Sequence, residues 1–336
     1  MAYNPKNILV TGGAGFIGSN YIRYMLKNYS HIRIINLDKL TYAGSKANLI
    51  GLPDKSDYIF IQGDICDGAL VAAILNQYAI DTIVHFAAES HVDRSIEGPG
   101  EFVQTNITGT FTLLEASREY WMASLGLDSN RCRFHHISTD EVFGSLAQHS
   151  PAFSETTAYA PNSPYSATKA GSDYLVRAWH KTYGLPVTLS HCSNNYGPYQ
   201  HSEKFIPTVV NACLNQTEIP VYGDGSNIRD WLYVEDHCCA VDTVVRRGGI
   251  GETYNIGGLN EWSNIDICQL ICDLMDKRVP ANGPHRKLIQ FVEDRPGHDW
   301  RYAIDTSKIS KELGWSPQET FQSGIGKTLD WIMQTA

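Results

Sequence analysis

No segment of this 336-residue chain strings together the roughly 18 apolar residues that a membrane-spanning helix needs. Positive charge is also scarce: 27 Lys and Arg stand against 36 Asp and Glu, a formal net charge of -9. That balance argues against nucleic acid or an anionic membrane surface as the main partner. A phosphorylated ligand stays admissible, because backbone amides and a few arginines can build a local site. No CxxC pair and no His/Cys cluster with zinc spacing occurs, so the eight cysteines read as reduced, packed thiols and no metal is expected. Internal repeats and low-complexity stretches are lacking too. The opening MAYNPKNILVTGG enters a strand almost at once, without the charged segment, apolar run and cleavage site of a secretion signal. A cytoplasmic protein is expected.

What the chain has instead is alternation. Short apolar runs at Asn7–Val10, Ile32–Leu37, Tyr58–Ile61, Thr82–Phe86, Phe134–Ser138 and Val187–Cys192 read as strands. Helical patterns lie between them at about 15–28, 68–78, 98–122 and 164–183. Such alternation implies βαβ units and an α/β fold: a doubly wound parallel sheet of the Rossmann type, with helices on both faces. After Asn195 the pattern loosens. Loops at Asn195–Tyr199, Tyr222–Asp230 and Asp294–Trp300 separate shorter helices near 203–215, 235–247, 264–276 and 322–334. The expectation is a dinucleotide-binding domain over 1–195, with about 230–256 added, and a smaller α/β substrate domain over 196–336, interleaved with the first.

The first strand runs into Thr11-Gly12-Gly13-Ala14-Gly15-Phe16-Ile17-Gly18, followed by an amphipathic helix. Glycines there allow a tight turn and let backbone amides approach a pyrophosphate, while Gly18 lets the helix pack closely on the sheet. The helix N-terminus presents unpaired N–H groups to the phosphates. Asp38 closes the second strand, where a carboxylate can hold ribose hydroxyls and repel a 2′-phosphate. NAD is therefore the expected cofactor, with Lys39 beside Asp38 weighing slightly the other way. Asp64-Ile65 falls where an adenine edge would lie, and Phe86-Ala87-Ala88 offers small residues for close approach.

Tyr165 and Lys169 stand four residues apart behind the helix caps Asn162-Ser163, so a helix puts them on one face. A free phenol, with a pKa of about 10, is a poor base; a nearby ammonium and a nicotinamide cation both favour phenolate. A drop of about three units amounts to about 4 kcal/mol. Upstream, a strand ends in Ser138-Thr139-Asp140-Glu141. Oxidising an alcohol does not need two adjacent carboxyls, but eliminating water does. One must take a proton from carbon while the other protonates the departing hydroxyl.

These segments together resemble the extended short-chain dehydrogenase/reductase family, in its NAD-dependent epimerase/dehydratase branch. The resemblance is carried by TGGAGFIGSN, LDKLTYAG, AAESHVDRSI, STDEVFGS, PNSPYSATKAGSDYLVRAWHKTYGLP, CSNNYGPYQ, GDGSNIRDWLYVEDH and DRPGHDWRYAID, nearly the whole length. It implies an NAD-dependent dehydration of dTDP-glucose: oxidation at C4, loss of water across C5 and C6, and hydride return to C6. UDP-glucose, and 4-epimerase or uronate decarboxylase chemistry, stand as alternatives. From another class, the fold can also serve as a redox-sensing or scaffolding module.

Within the resemblance, Tyr165 with Thr139 and Lys169 serves the oxidation, Glu141 takes the C5 proton and Asp140 serves C6. Lys39, Leu40, Thr41, Ser90, Thr105, Cys192 and Asn194 join the cofactor contacts. Ser90, Thr139 and Asn194 also face the sugar. Asn195, Lys204, Arg229, Asn264, Arg295 and His298 are implied to hold the diphosphate, with Pro220 and Tyr222 against the base. Asn264 could equally be a helix cap. Phe143, His201-Ser202 and Trp300 depart from the family's usual pattern. A homodimer is also implied, with Val103, Ile107, Leu114, Trp121, Tyr174, Ala178 and Trp179 as candidate facing residues.

Overall fold

β-branched and aliphatic runs in the first half form the parallel strands that their spacing predicts. The structure, a computed structural model, describes residues 3–52, 57–127, 130–281, 283–294 and 297–335. In chain order, β1 (Asn7–Thr11), α1 (Phe16–Asn28), β2 (Arg33–Asp38), β3 (Tyr58–Gln62), α2 (Gly68–Gln77), β4 (Thr82–His85) and α3 (Val92–Glu97) come first. The helix expected over 98–122 is α4 (Pro99–Phe102) and α5 (Thr110–Ser117), joined and extended by π-helical stretches at Val103–Gly109 and Arg118–Ser124. Then follow β5 (Arg133–Thr139), α6 (Pro164–Tyr183) and β6 (Val187–Cys192).

The remainder comprises β7 (Asn194–Tyr196), α7 (Phe205–Asn215), β8 (Ile219–Tyr222), β9 (Ile228–Tyr233), α8 (Val234–Arg247), β10 (Thr253–Ile256), β11 (Glu261–Ser263), α9 (Asn264–Arg278), β12 (Ile289–Val292), α10 (Ser307–Leu313) and α11 (Phe321–Thr335). Two segments expected to be loops are loops only in part. Strand β7 opens the first, at Asn194, and β9 ends the second. Three-residue strands carry too little period-2 signal to be seen in sequence.

Seven parallel strands pair in the order β10-β6-β5-β4-β1-β2-β3. The winding reverses between β1 and β4, so a crevice opens at their carboxyl ends, where open α/β sheets bind ligands. Alternate residues feed opposite faces. Leu9, Ile35, Leu37, Ile83 and Phe134 pack with Val71, Ile74 and Leu75 of α2 and Leu113 and Leu114 of α5. Ile8, Val10, Ile34 and Val84 pack instead with Tyr21, Ile22 and Met25 of α1 and Val241 and Val245 of α8. A separate core joins α7, α9 and α11 around Trp231 and Phe321, beside a three-stranded sheet β11-β9-β7 and the parallel pair β12-β8.

Leu114 and Trp121 lie fully inside the first core, which corrects their assignment to a partner-facing surface. All eight cysteines are free. Among the described residues no helix is long and apolar enough to cross a membrane.

Trp121 is fully buried and its indole donates to the Ile80 carbonyl at 2.7 Å. Trp121→Ala leaves a cavity and an unpaired carbonyl, so urea unfolding should show a loss of about 3–5 kcal/mol.

Candidate active site

The turn after β1 is built by contacts that only glycine allows. Gly12 has φ 72, and a Cβ there would stand 2.6 Å from the Ala87 backbone nitrogen at the end of β4. A Cβ on Gly18 would collide with the Gly12 carbonyl. The α1 N-terminus therefore sits tight against the turn, its first amides open toward the crevice. Asp38 is buried at the tip of β2; its oxygens accept from Ala14 N and Leu40 N, both at 2.8 Å. Burial raises this carboxyl above its ordinary value, and the two amides oppose that rise. Lys39 turns to Asp64, at 2.9 Å, so its charge is compensated and not offered to a 2′-phosphate. These features fit NAD.

At the carboxyl end of β5, Thr139 Oγ1 accepts from Glu141 N at 3.3 Å and lies 3.4 Å from Asp140 Oδ1. Asp140 and Glu141 open a 3-10 turn over Asp140–Phe143. Asp140 is almost wholly buried while Glu141 is half-exposed. Burial, then the charges of Glu141 and Asp230, push Asp140 well above the usual carboxylate range and so favour its protonated form. Two neighbouring carboxyls thus occupy contrasting environments, as an acid and a base require.

Helix α6 starts on Ser163, whose hydroxyl accepts from Ser166 N at 3.0 Å in a capping box, with Pro164 following. Asn162 instead donates to Asp299, at 2.7 Å. Tyr165 and Lys169 are both buried on the face toward β5. The Lys169 ammonium donates to the Ile137 carbonyl at 2.7 Å. Burial and the negative charge of Glu141 push the Tyr165 phenol well above its ordinary value; the Thr139 hydroxyl pulls it back. The protein alone therefore does not supply the lowered phenol expected from the sequence. Low-dielectric burial beside Glu141 outweighs the Thr139 hydroxyl. Cys192 follows on β6, its thiol 3.3 Å from the Ser138 carbonyl and pushed up to about 12 by burial and then by Asp140.

One cavity of about 640 Å³ joins the glycine turn to these groups and runs on into the C-terminal part. Gly12, Gly15, Phe16, Ile17, Gly18, Asp38, Lys39, Thr41, Asp64, Ile65, Phe86, Ala87, Ala88, Ser90 and Thr105 line its first half. Thr139, Asp140, Glu141, Tyr165, Lys169, Cys192, Asn194 and Asn195 line the middle, and Lys204, Pro220, Tyr222, Arg229, Asn264 and His298 the far end. Leu40 does not line it. Held at φ 60, it contributes its amide to Asp38 instead. Arg295 lies outside the described residues. Ser263 caps α9, accepting from Asp266 N at 3.2 Å, which leaves the Asn264 side chain to the cavity. Arg229 is buried, with its guanidinium donating to the Ile228 and Asp299 carbonyls and lying over Tyr302 at 4.2 Å. Phe143 is buried against Phe153 and His191 and stays out of the cavity, so its departure from the family pattern does not alter the lining.

Sequence reasoning missed a cluster at the mouth. Arg94 on α3 donates to both Glu203 oxygens, at 3.0 and 3.1 Å, and lies 3.9 Å over the Tyr42 ring. His91 and His201 flank the same carboxylate at 3.9 and 3.8 Å. His91, His201 and Glu203 line the cavity, and Lys204 reaches the Ser90 carbonyl at 3.3 Å. Tyr42, His91 and Arg94 fall within motifs of the resemblance and Glu203 just beyond one, but nothing local says that residues so far apart meet. Among the described residues no group of His, Cys, Asp and Glu is placed to hold a metal ion.

A glycine-turn dinucleotide cradle opening onto Thr139, Tyr165 and Lys169 defines an enzyme of the short-chain dehydrogenase/reductase class. Comparison with known proteins refines this. The family described as GDP-mannose 4,6 dehydratase matches residues 9–328. The dTDP-glucose 4,6-dehydratase 1 of Escherichia coli K12 is 55% identical over 334 residues, spanning 97% of this chain and 92% of that protein. The dTDP-glucose 4,6-dehydratase of Neisseria meningitidis serogroup B is 53% identical, over 98% and 93% of the two chains. Among solved structures, the Streptomyces venezuelae dTDP-glucose 4,6-dehydratase, with NAD and dTDP bound, has TM-score 0.89 and 44% identity over 98% and 97% of the chains. The Bacillus cereus UDP-glucuronic acid 4-epimerase has TM-score 0.86 and 29% identity over 98% and 100%. The chain belongs to the GDP-mannose 4,6 dehydratase family of NAD-dependent sugar-nucleotide enzymes, among which it is similar to the dTDP-glucose 4,6-dehydratases.

Because burial raises the Asp140 carboxyl in the folded protein, the unfolded chain gives up that proton at lower pH, from about 3.9 upward. This group's contribution is thus full below that value and lost as pH rises. Asp140→Asn should be more stable than the parent near neutrality, with the difference vanishing near pH 4, as read by urea unfolding across that range.

Proposed function

We propose that this chain converts dTDP-glucose to dTDP-4-keto-6-deoxyglucose with NAD as a retained cofactor, making it a carbon–oxygen lyase. The carrying observation is the buried Asp140, its carboxyl raised by that burial, beside the half-buried Glu141, both lining one cavity with Tyr165 and Lys169. NAD, when bound, takes the hydride from C4 and returns it to C6. The glycine turn and α1 N-terminus would hold its pyrophosphate, and Asp38 its ribose.

Tyr165 removes the C4 hydroxyl proton, with the Thr139 hydroxyl bonded to the phenol side and Lys169 beneath it. The 4-ketone acidifies C5–H, which Glu141 takes up. Asp140, whose burial favours the protonated carboxyl, is assigned to protonate the leaving C6 hydroxyl. Cys192 stays a neutral thiol, with Asn194 and Ser90 facing cofactor and sugar. Asn195, Lys204, Arg229, Asn264, Arg295 and His298 are assigned to the diphosphate, and Pro220 and Tyr222 to the thymine. Arginine and lysine at that end offset an otherwise acidic protein where phosphate must enter.

The same reading divides the chain into a cofactor part, 1–195 with about 230–256, and a substrate part over the rest of 196–336. Pairing of β10 with β6 supports that interleaving. Eight free cysteines fit a reducing compartment, the cytoplasm. A homodimer is supported by Val103, Phe111, Tyr174 and Tyr183, which stay exposed on the helices around α5 and α6.

Pure protein given dTDP-glucose in deuterated water should yield a 4-keto-6-deoxy product with deuterium at C5; a galactose or pentose product would overturn the assignment. Glu141→Gln should cut product formation roughly 10²–10⁴-fold while C4 oxidation persists, seen as reduced cofactor at 340 nm. Light scattering should return twice the 37.4 kDa of one chain, and a monomer mass would reject the dimer.

A further inference from the structure

Helix α6 carries a third ionisable residue on the face of Tyr165 and Lys169. Asp173 lies one turn beyond Lys169, so the spacing 165, 169, 173 aligns all three. It is wholly buried and does not line the cavity. Its Oδ2 accepts from Ser138 Oγ at 2.8 Å and lies 3.2 Å from His191 Nε2, while Oδ1 lies 3.2 Å from His136 Nε2. Ser138 immediately precedes Thr139, and His191 immediately precedes Cys192. The carboxylate therefore touches the two strands directly behind the reacting groups. His191 is fixed in turn by the Tyr159 hydroxyl at 2.8 Å and by Asn255 Oδ1 at 3.2 Å.

A lone buried carboxylate would be costly unless paired. Burial works against its charge, yet His136 and His191 hold Asp173 well below the usual carboxylate range. Lys169 faces His85 from β4, His136 from β5 and the Cys192 thiol from β6, with Tyr165 and Asp173 on its own helix. Burial disfavours its ammonium and Asp173 favours it, while the ammonium in turn pushes His85 and His136 down. With the thiol protonated, Asp173 supplies the opposing negative charge.

We propose that Asp173 is a positioning residue for the reaction: its carboxylate is the fixed counter-charge of Lys169 and locks the helix carrying Tyr165 and Lys169 to the strand carrying Thr139, Asp140 and Glu141. This rests on the Tyr165–Lys169 reading of the oxidation. A wild-type protein that does not oxidise dTDP-glucose would refute that reading and leave Asp173 unjudged only by this assay, so Lys169 is also read directly, by ¹⁵N NMR of its ammonium. Without the counter-charge Lys169 loses its proton at lower pH. In Asp173→Asn the ammonium titration and the alkaline limb of kcat should therefore both move down by about one pH unit, with KM little changed. Adding Asp173→Asn to Lys169→Met should cost less than the product of the two single losses, because both remove the same charge pairing. An unmoved titration, or losses that multiply in the double variant, would overturn the proposal. If Asp173→Asn does not fold, Asp173→Glu carries the test. With the charge kept, its alkaline limb should stay at the wild-type pH even where kcat falls, and a limb moved downward would refute the role.

Discussion

Parallel pairing of β1, β4, β5 and β6 is the constraint on which the rest of the structure depends. The register sets Thr11 against His85, His85 against His136 and Thr139 against Cys192, so four strand ends arrive together. Slipping β5 by one residue would turn Thr139 into the sheet's other face and carry Ser138 into its place. Pairing alone brings the glycine turn, the hydroxyl and the two carboxyls within one cavity. Helices contribute what strands cannot: α1 a positive end, and α6 a row of side chains at fixed four-residue spacing.

Burial then sorts the charges. It raises the Asp140 carboxyl, disfavours the Lys169 ammonium and raises the Tyr165 phenol. Each shift on its own would be a defect in a folded chain. Under the proposed roles the acid sits where burial favours its proton, while the base that starts the reaction becomes competent when a further positive charge is brought beside it. The oxidation and the elimination are thereby separated in their requirements, though their groups are neighbours.

Much of this was legible in the sequence, for local reasons. A glycine turn between strand and helix, an aspartate at a strand end and a Tyr–Lys pair at helical spacing are short-range signals, and each sits where its spacing placed it. What escaped notice was long-range or weakly periodic. Strands β7 and β11 are too short to show alternation, and β12 pairs with β8 across a long separation. Leu114 and Trp121 read equally well as core or interface until α2 is seen to cover them. The histidines of β4, β5 and β6 look like polar interruptions in apolar strands. Only the fold shows His85 bonded to Thr11 and Thr110, and His135 to Thr188 and Ser190. Lys39 looked like a feature favouring a phosphate, and its pairing with Asp64 could not be read from either motif.

The ring of Tyr42, Arg94 and Glu203 at the cavity mouth bears on how such an enzyme spends its time. A dehydrogenase that hands away reduced cofactor must open once per turnover, and its mouth sets a ceiling on speed. Here the hydride goes out and comes back within one catalytic cycle. Under the proposed assignment only the sugar nucleotide, entering from the Tyr222 and Arg229 end, has to pass in and out. The two ends of the cavity can then obey different clocks. On that assignment one exchanges at every turnover, and the other holds a dinucleotide that behaves as a built-in part and not as a circulating coenzyme.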